Sequence, residues 1–261
     1  MSDERVSVTV EAGIASVRLN RPGKLNAIDH AMFTALSEAS AAVAARADAR
    51  VVVLSGSGRG FCAGLDIASL AGGGMPESIE RRTHGIANLW QHAVWGWREL
   101  PVPVIAAVHG VAFGGGLQIA LAADIRIVAP DARLAVMEAR WGLVPDMAGI
   151  ALLRGVVRED VARELTYTAR QVSGTEAAAL GLATRTADDP YAAAMALAAQ
   201  VAAASPRAVR GAKRLFGLAQ DAAAAEILLA ESREQQALLA GPDLAETIAA
   251  QAEGRAPRFA D

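Results

Sequence analysis

The chain has one cysteine, Cys62, and four histidines in 261 residues. A single thiol rules out an intramolecular disulfide, and no Cys/His cluster has the spacing of a structural zinc site. Both observations point to a reducing compartment. Aromatic residues supply only 4% of the chain. Alanine is the commonest residue, which favours helix and close packing of small side chains over a β-sandwich. Basic charge is not in excess, since 25 Lys and Arg stand against 28 Asp and Glu for a net charge of −3. A nucleic acid held by its phosphates is therefore not the expected partner.

Long apolar runs are equally scarce. The stretch from Val104 to Ala123 has membrane length, but His109, Gln118 and Gly110, Gly114, Gly115 and Gly116 interrupt it. A span needs ~20 unbroken apolar residues. The charged start, Asp3-Glu4-Arg5, leads into alternating residues and not an apolar h-region, so no signal peptide is expected. The chain reads as soluble and cytoplasmic.

Several catalytic signatures are also missing: the P-loop, the G-x-S-x-G elbow and the H-E-x-x-H helix. In Gly56-Ser57-Gly58-Arg59-Gly60 the third glycine comes one residue too early for a dinucleotide fingerprint. The histidines lack metal-ligand spacing. His84 and His92 read as solvated side chains of one helix.

What is present is a core. Hydrophobic residues make up 53% of the chain and charged residues 20%, which excludes a disordered chain, and 261 residues hold one large domain or two small ones. Residues 5–10 and 14–19 alternate around Glu11-Ala12-Gly13, which predicts a hairpin. Asp29 reads as the N-cap of a helix running to about Ala45. Val51 to Leu54 and Val104 to Val108 are apolar, β-branched runs of the kind buried on both faces of a parallel sheet. A polar helix is expected from Pro76 to Glu99, a helix from Gly116 to Ala122, and short strands at 125–128 and 134–136. From Gly149 onward the pattern is helical with brief breaks. Strands alternating with helices, then helices alone, predict an α/β core over residues 1–200 and a helical C-terminal region over 201–261.

Chemistry concentrates after the two buried strands. Each leads into a glycine-containing turn: Phe61-Cys62-Ala63-Gly64-Leu65-Asp66-Ile67, and His109 through Gly114-Gly115-Gly116-Leu117-Gln118. A glycine turn that opens a helix presents unpaired backbone N–H groups. Two such turns on neighbouring strands can aim two donors at one oxygen, the geometry of an oxyanion hole. The same glycines also suit a role limited to permitting tight turns.

Ordered segments then match a known family. They are Asn20 to Ala27, Phe61 to Ile67, Pro103 to Gln118, Ala122 to Ile125, Glu138 to Pro145 and Gly174 to Gly181, with a late match at Ser205-Pro206 and Lys213-Arg214. Over nearly its whole length the chain resembles the crotonase (enoyl-CoA hydratase/isomerase) superfamily. The resemblance implies a ββα spiral core, a helical C-terminal trimerisation region and a homotrimer or homohexamer. It implies an acyl-CoA thioester as substrate, no metal, and no cofactor beyond the coenzyme A of the substrate. By resemblance the oxyanion-hole N–H groups belong to Leu65 and Gly115. CoA would lie along Lys24, Leu25, Ala27, Ala63, Asp66 and Ile67, with Arg21 a further candidate, and the tail residues Arg255 and Phe259 would reach its adenine end.

The chain departs from the family at the acid–base pair. Typical hydratases carry two glutamates; here the first position is Gln118 and the second is Glu138. An amide neither gives nor takes a proton at neutral pH, so Gln118 can orient a water but cannot serve as the second acid. Asp146, eight residues after Glu138, resembles in part an aspartate of dienoyl-CoA isomerases, which also carry a carboxylate at the position of Gln118; it equally suits a turn after Pro145. The catalytic candidates are therefore Glu138, Asp146 and Gln118, and double-bond isomerisation is expected to exceed hydration. The alternatives are a hydratase, an acyl-CoA-binding paralogue or a thioester hydrolase.

Overall fold

A computed structural model describes residues 4–71 and 78–261. The expected hairpin forms from β1 (Val6–Glu11) and β2 (Ile14–Leu19), turned at Ala12 and Gly13, both at positive φ. Asp29 caps α1 (His30–Ala44), its carboxylate accepting from the Met32 N–H at 2.9 Å. Such a cap contributes ~1 kcal/mol. There follow β3 (Val51–Gly56), α2 (Ile67–Ala71), α3 (Leu89–Glu99), β4 (Val104–Val108), β5 (Val111–Phe113), α4 (Gly115–Leu121), β6 (Ile125–Val128) and β7 (Arg133–Ala135). The rest is mainly helix: α5 (Gly149–Leu153), α6 (Glu159–Thr168), α7 (Gly174–Ala179), α8 (Pro190–Ala202), α9 (Pro206–Leu218), α10 (Ala224–Leu239) and α11 (Pro242–Glu253). Two short strands, β8 (Val172–Ser173) and β9 (Arg185–Thr186), lie among them.

One sheet runs β1-β2-β3-β4-β6-β9, parallel from β2 onward, and a smaller one runs β5-β7-β8. The β-branched runs are buried on both faces, for the reason the sequence suggests. Val52 and Leu54 of β3 face the main core, whereas Val51 and Val53 join Ile105, Ala107 and Ile127 against α8. That helix meets the sheet with Ala194, Ala198 and Ala202, which follow one another every four residues. Methyl side chains on that stripe let the helix axis come close to the sheet.

Two expectations need correction. The helix predicted from Pro76 begins at Leu89, where Asn88 and Gln91 form a capping box; Pro76 and Glu77 lie outside the described residues. The reciprocal side-chain bonds stop the helix there. Residues 78–88 instead fold back, so His84 stacks on His92 with ring centroids 4.6 Å apart. Both rings are half-buried, and His92 Nδ1 lies 2.7 Å from Ser37 Oγ. As its interrupting glycines suggest, the apolar stretch from Val104 to Ala123 is divided among β4, β5 and α4. Among the described residues no single helix is long and apolar enough to cross a membrane.

Candidate active site

The site is built by backbone segments that approach unusually closely. Beyond β3 the chain pairs with β5: the Cys62 N–H donates to Val111 O at 2.9 Å, and the Phe113 N–H to Cys62 O at 3.0 Å. A side-chain carbon on Gly64 would stand 2.5 Å from Phe113 O, and one on Gly116 would stand 2.3 Å from Cys62 O. Only glycine fits either place. The same carbon on Gly64 would lie 3.6 Å from the Gly115 amide nitrogen. The peptide joining Gly64 to Leu65 therefore neighbours the first N–H of α4.

The orientation of that peptide follows from a second bridge. The Ile28 N–H donates to Gly64 O at 2.8 Å and the Asp66 N–H to Ile28 O at 2.9 Å. In a parallel pairing the intervening Leu65 N–H points the other way. Among the described residues neither the Leu65 nor the Gly115 N–H has a hydrogen-bond partner. The structure thus brings together the two amides that the sequence reading singled out.

Glu138 stands beside them. It opens a 3-10 turn, Glu138–Trp141, and is 8% exposed. Its carboxylate rests on Gly114, where a side-chain carbon would come 3.2 Å from Oε1. Oε1 accepts from Gln118 Nε2 at 2.7 Å. Oε2 is buried and, among the described residues, has no hydrogen-bond partner. Burial pushes the Glu138 carboxyl above the usual carboxylate range. Its own backbone and the Gln118 amide oppose that rise, and the charge of Asp146 adds to it. Asp146 is half-buried and its carboxyl is also raised, by burial. Among the described residues it has no ion-pair partner. Both carboxyls sit in a place that favours holding a proton.

Gln118 reaches both walls of the site. Besides the bond to Glu138, its Oε1 accepts from the Gly149 N–H at 2.8 Å. The sequence reading named Gln118 for its chemistry but passed over Gly149. Met147, buried one residue beyond Asp146, supplies an apolar wall with Ile28: a side-chain carbon on Gly115 would meet Met147 Sδ at 2.8 Å and Ile28 Cδ1 at 3.0 Å.

The expected CoA-binding segments lie side by side. The Ala63 N–H donates to Leu25 O at 2.9 Å, which aligns Lys24 to Ala27 with Ala63 to Ile67. Lys24 is exposed at the end of a 3-10 turn, Pro22–Lys24. Asn26, fully buried, ties this loop down, a role the sequence reading missed. Its Nδ2 lies 2.9–3.0 Å from the carbonyls of Ser57, Gly60 and Phe61, and its Oδ1 accepts from the Arg21 N–H at 2.8 Å. Leu25 and Asn26 both adopt positive φ (49° and 56°). Asparagine tolerates that conformation better than most residues, and this was the available signal.

Other candidates are placed differently from expectation. Arg21 donates to Asp66 at 2.7 Å and to Ala27 O at 3.1 Å, so the arginine and Asp66 engage each other. The guanidinium holds the Asp66 carboxyl below its usual range. The Cys62 thiol is buried and donates to Asn26 O; burial pushes it up to about 12, which excludes a thiolate nucleophile at neutral pH. Arg255 and Phe259 do not join the site within one chain. Arg255 pairs with Glu246 and Glu253, and Phe259 O accepts from Arg50, just before β3. The site lies beyond the other end of that strand, roughly 20 Å away at ~3.3 Å per residue.

Two neighbouring backbone amides beside a buried carboxylate, on a sheet with this strand order, define an α/β fold of the crotonase kind. The chain belongs to the enoyl-CoA hydratase/isomerase family, which it matches over residues 9–261. It is 37% identical to the Mycobacterium bovis protein named probable enoyl-CoA hydratase echA12, over 95% of this chain and 90% of that one. It is 30% identical to the peroxisomal Delta(3,5)-Delta(2,4)-dienoyl-CoA isomerase of Arabidopsis thaliana, over 98% and 96%. The crystal structure of an enoyl-CoA hydratase from Bacillus anthracis superposes with a TM-score of 0.89 at 30% identity, covering 98% of each chain.

Proposed function

We propose that this enzyme shifts the double bond of an enoyl-CoA thioester in preference to hydrating it, with Glu138 as the base. One observation carries this reading: the group hydrogen-bonded to Glu138 is the amide of Gln118 and not a second carboxylate. Hydration needs water activated for attack at C3 and a proton delivered to C2. A positioned acid–base group is worth ~10²–10⁴-fold, and an amide cannot supply that help. Isomerisation needs one base. Glu138 removes a proton from C2 of a 3-enoyl thioester, and the electron pair moves onto the thioester oxygen between the Leu65 and Gly115 N–H groups. The same carboxyl returns the proton at C4, the carbonyl re-forms, and no water is consumed. Each oxyanion donor contributes about 3–4 kcal/mol to the transition state.

Asp146 supports a second reading, the shift of a conjugating diene. It is a half-buried carboxyl near Glu138, without an ion-pair partner among the described residues, a candidate donor at the far end of a longer acyl system. Incubation with 2-enoyl-, 3-enoyl- and 3,5-dienoyl-CoA, with products separated by mass and retention time, tests both. Conversion of a 3-enoyl or dienoyl substrate faster than water addition to a 2-enoyl substrate supports the proposal. Efficient hydration of a 2-enoyl-CoA overturns it.

Lys24 and the paired segments at 25–27 and 63–67 are proposed to carry the CoA moiety. The helical region 201–261 is proposed as an assembly surface for a trimer or a dimer of trimers. Leu228, Leu229, Leu239 and Ile248 on α10 and α11 are exposed at 51–61%, and such apolar groups mark contact surfaces. A monomeric mass by sedimentation at micromolar concentration would count against assembly.

A further inference from the structure

Both ends of the Gln118 amide are engaged, and the partners leave it one orientation. The Gly149 N–H can only donate, so the group it meets at 2.8 Å must be the amide oxygen. The NH2 must then face Glu138 Oε1, 2.7 Å away. A side-chain carbon at Gly149 would stand 2.6 Å from the Gln118 oxygen and 2.9 Å from Pro145 Cβ, so it would push the amide out of this place. Glu138 is consequently held on one side by Gln118 and backed by Gly114, while Oε2 is left without a partner.

We infer that Gln118 is a positioning residue: held by the Gly149 N–H, it ties down Oε1 of Glu138 and leaves Oε2 as the single oxygen that carries the proton. The inference rests on the proposed role of Glu138 as base. A hydrogen bond donated to a carboxylate favours its charged form. Gln118 thereby opposes the burial and the Asp146 charge that drive Glu138 toward protonation. Few other charges bear on the group. Among the described residues it meets neutral Gly114 and Gln118 at the start of α4; Arg140 of its own turn is exposed, and on α6, which packs near the turn, Glu159 pairs with Arg163, Asp160 with Arg158 and Glu164 with Arg170. A one-sided base of this kind takes a proton and returns it through the same atom, the requirement of a shift along the acyl chain.

The test is a titration of Glu138 in the full-length free protein by carboxyl 13C NMR, its signal identified by its disappearance in Glu138→Gln. In Gln118→Met the midpoint should rise by about one pH unit, the effect of losing a hydrogen bond to a charged group. The acid limb of kcat/KM for a 3-enoyl-CoA should move up with it, while KM at high pH stays within about twofold. An unchanged midpoint in a folded variant overturns the inference. Gln118→Glu provides an isosteric second variant. While its new carboxyl keeps its proton it can still donate to an ionised Glu138 and accept from Gly149, so isomerisation should be confined to the pH window in which the pair shares one proton and fall at higher pH as that proton is lost. A pH profile parallel to wild type would overturn the inference. Wild-type protein that turns over no 3-enoyl or dienoyl substrate would sink the proposed function, and the free-protein titration would still judge the role of Gln118.

Discussion

Gly116 lies against Cys62 so closely that a side-chain carbon on the glycine would stand 2.3 Å from the cysteine's carbonyl oxygen. This contact, with its counterpart at Gly64 and Phe113, is what brings the amides of Leu65 and Gly115 to one place. The glycines act through the space they leave empty. Gly64→Ala should be the more damaging change, because it adds a clash at 2.5 Å to a backbone φ of +86°. A loss of at least ~10²-fold in kcat is expected, the scale of removing one oxyanion donor. Steady-state kinetics with a 3-enoyl-CoA, with circular dichroism confirming the fold, measures it.

Glu138→Gln should lower kcat by at least ~10²-fold and leave acyl-CoA affinity by calorimetry nearly unchanged, because the proposed oxyanion donors are backbone groups. Stability should move the other way. Burial raises this carboxyl in the folded state, so between the unfolded and folded midpoints the native protein holds the extra proton. Stability therefore falls as pH rises through that window. The variant should melt higher than wild type at pH 7 and lose that advantage near pH 4. A variant that melts lower at pH 7 would contradict the assignment of Glu138 as a strained, buried base.

Asp146→Asn separates the two isomerase readings. A one-base shift of a 3-enoyl-CoA should change by less than about threefold, whereas a dienoyl shift that uses Asp146 as donor should fall by ~10²-fold or more. The ratio of the two rates in one preparation removes differences in active fraction. Equal effects on both substrates would leave Asp146 no donor role.

Asn26→Ala should destabilise the protein by about 2–4 kcal/mol, because three carbonyls lose their shared donor in a buried place. Loosening the 21–27 loop should also raise KM for acyl-CoA more than it lowers kcat. Chemical denaturation and a KM-against-kcat comparison check the two effects.

Much of this molecule follows from local sequence. Runs such as Val51 to Leu54 specify buried strands because β-branched side chains suit a pleat covered on both faces. Asp29 specifies a helix start because its carboxylate reaches the N–H three residues on. The chemical limit at position 118 is also written in the sequence, since a carboxamide is neither an acid nor a base at neutral pH. Tertiary structure decided the pairings: Gln118 with Glu138 and Gly149, Arg21 with Asp66, Asn26 with three carbonyls of another loop, and the tail beside Arg50. These partners lie from 20 to more than 200 residues apart, beyond any helical or strand period. Which of them meet depends on how closely the backbones approach, and here glycines at 64, 114, 116 and 149 set that distance.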